Sequence, residues 1–252
     1  GPEHLVNIQN SLNQGDWENN RFLQQFSGLV SEYNFSPDVI SSLIEGLMDD
    51  QAPTVLIENE EQLIQYAYKV AGTVGLLMCG VLNTDEHRAK AHAVDLGIGM
   101  QLTNIARDVV VDAKMGRRYL PGEWVNNMSP EEILVAAENP TSDNGLVITA
   151  AVKRLLALAE EYYASGRVGL SYLPARAHFS IGVAAKVYRQ IGIQLLRSKT
   201  SWHGPKQVTS KASKVVCTLK ATLNLYRRFP HPRKPHNSCL LYTSDAADDL
   251  RC

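Results

Sequence analysis

Four polar side chains recur at helical spacing in the middle of the chain: Gln101, Asn104, Asp108 and Asp112. At 100° per residue they fall within about 80° of one another on a helix. Val94, Ile98, Leu102, Ile105 and Val109 form an apolar stripe directly beside them. The polar row therefore faces the same general direction as the core-seeking row. Carboxylates at i and i+4 repel by roughly 0.2–0.5 kcal/mol when exposed, and half-buried they cost more unless something positive lies between them. A hard cation meets that need. Mg²⁺, with Mn²⁺ as its substitute, takes oxygen ligands, keeps several waters and bridges to substrate phosphates. Asn104, Asp108 and Asp112 are the candidate metal ligands, and Arg107 beside them offers a fixed guanidinium fork to a phosphate. Spacing alone leaves a second reading open, a solvated helix face carrying ordinary acids.

The elements that must position this row read as helices. Ser36-Pro37 places a capping hydroxyl before proline at a first helical position, and Val39, Ile40, Leu43 and Leu47 follow at helical spacing. A second helix is expected from about 60 to 79, ending near Gly80. Thr84 or Asp85 caps a long third helix to about Lys114, which carries the polar row. Ser129-Pro-Glu-Glu132 is a capping box that opens a fourth. Further helices are expected over 146–166, 174–197 and 211–228. No alternating strand pattern of useful length and no internal repeat occurs, so the fold class is all-α: one domain of packed helices over 1–228.

Composition narrows the function. Forty-four per cent apolar residues are enough for a real core, and a net charge of −1 argues against a nucleic-acid partner. No run of 18 apolar residues is present, so nothing spans a membrane as a helix. The four cysteines show no paired spacing, which fits a reducing compartment. The segment 229–238 is basic, rich in proline and expected to be disordered. Residues 239–252, beginning Cys239-Leu-Leu-Tyr-Thr-Ser, resemble the translation of a transposase adapter used in sequencing libraries and are set aside as an artefact.

The words around the polar row carry a resemblance. Asp95-Leu-Gly-Ile-Gly-Met-Gln-Leu-Thr-Asn-Ile-Ala-Arg-Asp-Val-Val-Val-Asp-Ala113, followed by Gly116-Arg-Arg-Tyr-Leu-Pro121, resembles the second aspartate-rich signature of the squalene and phytoene synthase family. Tyr66-Ala-Tyr-Lys-Val-Ala-Gly-Thr-Val-Gly75 resembles its other hallmark segment. Tyr172-Leu-Pro-Ala-Arg176 and Ala184-Ala-Lys-Val-Tyr-Arg-Gln-Ile-Gly192 fit as well, so the resemblance covers about residues 20–225.

That resemblance implies an isoprenoid-synthase fold and roles for individual residues. Asn104, Asp108 and Asp112 match positions that hold magnesium on a substrate diphosphate. Gln101 and Arg107 match substrate contacts, Tyr188 a tyrosine lying against the substrate, and Tyr66 and Tyr119 tyrosines of the central cavity. Tyr66, Arg107, Asp108 and Asp112 are thus the implied catalytic set. Metal ions and an arginine would neutralise the leaving diphosphate. Tyrosines, with the small Ala71, Gly72 and Gly75, would wall a dry space for an allylic cation. Plain core packing remains an equal reading for Tyr66 and Tyr188. For Arg117 and Arg118, pairing with diphosphate and a solvated turn stand side by side.

The implied reaction joins two prenyl diphosphates head to head through a cyclopropyl diphosphate. Asn104-Ile-Ala-Arg-Asp108 with Val70-Ala-Gly-Thr-Val-Gly75 looks most like the phytoene group, which uses geranylgeranyl diphosphate and ends by losing a proton. No G-x-G-x-x-G loop occurs, and no nicotinamide cofactor is expected. The alternatives are a squalene or dehydrosqualene synthase using farnesyl diphosphate, and a non-catalytic assembly-factor-like relative. The expected location is the cytoplasm, peripheral to a membrane surface. The family's first aspartate-rich motif has no counterpart before Tyr66: Asp16 stands alone in the sequence, and Asp49-Asp50 matches a place where relatives carry a lone Asp. The expectation is an inactive fragment that begins after that motif.

Overall fold

In a computed structural model, described over residues 2–16, 20–84, 86–198, 202–204 and 216–219, local signals set most helix boundaries. The helices are α1 (Pro2–Asn13), α2 (Arg21–Tyr33), α3 (Pro37–Asp49), α4 (Glu60–Ala67), α5 (Thr73–Val81), α6 (Glu86–Lys114), α7 (Pro130–Glu138), α8 (Asp143–Gly169) and α9 (Ala175–Arg197). Asn59 caps α4 through the Gln62 N–H, and the capping box of α7 forms as its sequence requires, with Ser129 and Glu132 each closing on the other's backbone. Ser142 caps α8 and starts it at Asp143, earlier than the apolar periodicity alone indicates.

Three expectations need correction. The helix expected over 60–79 is interrupted by a π-helical segment, Tyr68–Gly72, where the Thr73 N–H reaches back five residues to the Tyr68 carbonyl. The Thr73 hydroxyl donates to the Lys69 carbonyl at 2.7 Å within the widened turn. Ser36 is the N-cap of α3 in position, yet its hydroxyl makes no capping bond, and Pro37 with Asp38 in the first turn supports that end. Helices α1 and α2 lie outside the expected segments, and both are present. Of the helix expected over 211–228, residues 216–219 are described and helical. The segments 229–238 and 239–252 lie outside the described residues.

The one sheet among the described residues is a two-stranded parallel contact, β1 (Val55–Leu56) with β2 (Arg117–Arg118), pairing Val55 with Arg117 and Leu56 with Arg118. It pins the turn after α6 to the segment before α4. The axis of the bundle is α6, covered by α8 along its length and by α5, α7 and α9 around it. Leu63, Ile98, Leu102, Ile148 and Leu155 are fully buried in this main core, while Leu12, Leu23, Ile40 and Ile44 knit α1–α3 into a smaller one. Helices approach most closely where α6 meets the π segment and α5. A Cβ on Gly97 would stand 2.4 Å from the Ala71 carbonyl oxygen, and one on Gly75 would stand 2.4 Å from that of Ala93. Among the described residues no helix is long and apolar enough to cross a membrane.

Candidate active site

An apolar cavity of about 320 Å³ runs between α6 and its neighbours. Val70, Ala71, Val74 and Gly75 form one wall, α8 gives Gly166 and Gly169, and α9 closes it with Ile181, Ala184 and Tyr188. Gln101 and Asn104 supply its polar end. Asp108 and Asp112 continue along the same face of α6, half-buried. The Asn104 amide donates through Nδ2 to Gln101 Oε1 at 3.4 Å. Its Oδ1 is buried without a hydrogen-bond partner. Orphaned acceptors of this kind are rare in folded proteins and mark sites built for something else. Arg107 donates through Nε to Asp108 Oδ1 at 2.9 Å and through its second arm to Oδ2, a two-pronged pair. That pair, acting with Asp112 and Tyr188 nearby, holds the Arg107 guanidinium even more firmly charged than usual against the opposing effect of burial.

Tyr66 and Tyr119 are placed elsewhere. Their rings stack with centroids 4.7 Å apart, and both hydroxyls donate to the Asp50 carboxylate, at 3.0 Å and 2.7 Å. Neither lines the main cavity. Burial, and then Asp50 together with the neighbouring phenol, pushes the Tyr66 hydroxyl far above its usual pKa. Burial first and Asp50 second bring Tyr119 to about 12. The Asp50 carbonyl accepts from the Arg117 guanidinium, so the end of α3 is tied to three residues at once. The solvated-turn reading fails for Arg118. It is 3 % exposed, its Nη2 lies 3.4 Å from Glu58, and its Nε and Nη1 have no hydrogen-bond partner. A water-sized pocket of about 10 Å³ touches Asp112, Arg117, Arg118 and Tyr119, linking the tyrosine cluster to the end of the polar row.

Residues 3–214 match the family model described as squalene/phytoene synthase. The chain belongs to the squalene/phytoene synthase family. Among family members, it is 35% identical over 198 residues to a phytoene synthase of Pseudescherichia vulneris, covering 78% of this chain and 62% of that protein. It is 40% identical over 174 residues to a 15-cis-phytoene synthase of a Paracoccus species, covering 69% of this chain and 54% of that one. The chain thus spans less than two thirds of these two relatives. In fold it is similar to a dehydrosqualene synthase solved with a ligand, with TM-score 0.71, 24% identity, and 88% and 78% of the two chains covered. A squalene synthase from Alicyclobacillus acidocaldarius shares the fold at TM-score 0.63 and 18% identity, over 76% and 70% of the two chains.

Within this family framework the geometry adds residues that spacing could not single out. Asp50 stands out in sequence only as one of an acidic pair, because its partners Tyr66 and Tyr119 lie 16 and 69 residues away. His92, Asp95 and Ser165 form a chain beside the cavity, with His92 and Asp95 buried and Ser165 half-buried: His92 Nδ1 lies 2.9 Å from Ser165 Oγ, and Ser165 donates to Asp95. Asp50→Ala strands two buried hydroxyls and is expected to cost about 2–4 kcal/mol of stability. Chemical denaturation measures it, and a loss under about 0.5 kcal/mol would show that water replaces the carboxylate without penalty.

Proposed function

We propose that this chain supplies the prenyl cavity and one metal-binding wall of a phytoene synthase, which condenses two geranylgeranyl diphosphates head to head to phytoene. The observation that carries the reading is the buried, unpartnered Asn104 Oδ1 at the polar end of an apolar cavity, one turn from Asp108 and two from Asp112. An amide oxygen and two carboxylates on one helix face are the donor set a hard cation takes, so these residues fit Mg²⁺ or Mn²⁺. When bound there, the ion supplies charge neutralisation for the departing diphosphate. Asn104, Asp108 and Asp112 would hold it.

The remaining steps belong to the chain's own residues. Arg107 offers its fork to diphosphate oxygens when it parts from Asp108, and Gln101 orients the head group by hydrogen bonding. Tyr188 lies along the chain. The apolar walls keep water from the allylic cation, which would otherwise be quenched to an alcohol. Final loss of a proton needs no hydride donor, so this reading calls for no nicotinamide. Val74 and Met78 line the cavity yet stay 42% and 36% exposed, which supports entry of the hydrocarbon chain from a lipid surface.

The test is calorimetric binding of a non-ionising geranylgeranyl thiodiphosphate, paired with product analysis on geranylgeranyl and farnesyl diphosphates. Binding at least tenfold tighter with Mg²⁺ than with a chelator is expected of this chain, and phytoene is the expected hydrocarbon wherever turnover is measured. Binding indifferent to Mg²⁺ would remove the metal wall from the reading. A product formed from farnesyl diphosphate alone would reassign the substrate.

A further inference from the structure

On α6 the cavity touches Ala89, His92, Leu96, Met100 and Asn104 in succession. Fifteen residues separate Asn104 from Ala89, which at 1.5 Å per residue is about 22 Å of helix. An extended hydrocarbon advances about 1.25 Å per carbon–carbon bond, so the sixteen main-chain carbons of a geranylgeranyl group reach about 19 Å and the twelve of a farnesyl group about 14 Å. Measured from the level of Asn104, a farnesyl chain ends near Leu96. The fourth isoprene unit of the longer chain falls between Leu96 and Ala89, alongside His92.

The structure of that deep end is unusual for a hydrocarbon pocket. His92 is 3 % exposed and its ring is held by two contacts. It stacks on Tyr172 with centroids 6.0 Å apart, and Nδ1 meets Ser165, which in turn donates to the fully buried Asp95. With the Ser165 proton given to Asp95, the Ser165 oxygen accepts from His92 Nδ1–H. Its Cβ lies where Gly169 has none, since a side chain there would come within 2.4 Å of it. Burial lowers the pKa of the imidazole and favours its neutral form. Beyond it, toward the start of α6, the cavity is lined by Ala89 and Cys79, each 2 % exposed, with Leu82 beside them. A braced ring cannot rotate aside to admit a longer chain. A small residue at the floor leaves room for one more unit than a bulky one would.

We infer that His92 and Ala89 set the length of the prenyl chain this cavity accepts, with His92 as the rigid wall and Ala89 as the floor of the compartment for the fourth isoprene unit. This rests on the reading of the cavity as a prenyl diphosphate site. Ser165 and Asp95 are positioning residues for the imidazole.

The experiment measures affinities of farnesyl, geranylgeranyl and geranylfarnesyl thiodiphosphates, with Mg²⁺ present, for the chain and its variants. The unaltered chain is expected to prefer the geranylgeranyl analogue. Ala89→Leu fills the compartment and should lower the geranylgeranyl-to-farnesyl affinity ratio at least tenfold. Cys79→Leu enters the same space from α5 and should lower it in the same direction, which guards against a variant that fails to fold. His92→Ala deepens the cavity and should bring the geranylfarnesyl analogue within threefold of the geranylgeranyl one. An unchanged ratio in both filling variants, each retaining a cooperative melt, would overturn the inference while leaving the prenyl site intact. Failure of the unaltered chain to bind any of the three would bring down the prenyl reading, and this inference with it.

Discussion

Asp108→Asn is expected to lower product formation by at least about 10²-fold and to abolish the Mg²⁺ dependence of analogue binding, with helix content unchanged. The carboxylate is half-buried between Asn104 and Asp112 on one face of α6, and its two oxygens are spanned by the Arg107 fork. Asparagine keeps the shape and one acceptor but loses the charge. It therefore cannot both balance Arg107 and hold a divalent ion, and under the proposed function a departing diphosphate would lose the charge neutralisation such an ion supplies. A structural role predicts something different. If Asp108 served only to neutralise Arg107, the variant would lose stability and its Mg²⁺ titration would not move. The decisive readout is therefore the Mg²⁺ concentration for half-maximal binding of geranylgeranyl thiodiphosphate, measured beside turnover. Turnover within threefold of the unaltered chain would remove Asp108 from the site.

The site was legible in the sequence where its geometry is local, and hidden where it is not. Gln101, Asn104, Asp108 and Asp112 lie on one helix, so a wheel places them together, and Gln101 and Asn104 line the polar end of the cavity. Tyr188 also reaches the cavity, from α9. Tyr66 and Tyr119 were expected there and sit instead on Asp50, because a phenol buried beside a carboxylate gains a charge-assisted hydrogen bond that an apolar cavity cannot offer. The fold shows the same division. The capping box of α7 acts within four residues and could be read directly. The π-helical turn could not, since Tyr66 through Val81 keeps its helical periodicity while one extra residue enters the backbone. Its cause is distant: the Ala71 carbonyl and the Gly72 amide press against Gly97 on another helix. α2 lies outside the expected helices, although Asn20 caps it and Asn34 closes it in the left-handed conformation that asparagine tolerates.

That contact yields the second large effect. Gly97→Val should destabilise the fold by about 3 kcal/mol or more, at the upper end of what overpacking usually costs. A Cβ there would stand 2.4 Å from the Ala71 oxygen, 2.8 Å from its carbonyl carbon and 3.1 Å from the Gly72 nitrogen. All three are backbone atoms, so no side chain can rotate away and the π segment must move as a unit. It cannot move alone, because Gly75 makes the reciprocal contact with Ala93 one turn further along. Separating the pair also shifts Ala71 and Gly75, which wall the cavity, so analogue binding should weaken along with stability. Gly28→Ala provides the contrast on α2. A Cβ there meets nothing within 4 Å, and replacing an exposed helical glycine should gain about 0.5–1 kcal/mol. Urea denaturation of both variants reads the difference as opposite shifts in midpoint at a shared slope. A domain of this kind holds about 5–15 kcal/mol in all, so the valine variant should sit visibly nearer unfolding at room temperature. Equal midpoints for Gly97→Val and the unaltered chain would mean that α6 and the π segment separate without cost, and that the backbone contact does not set the width of the cavity.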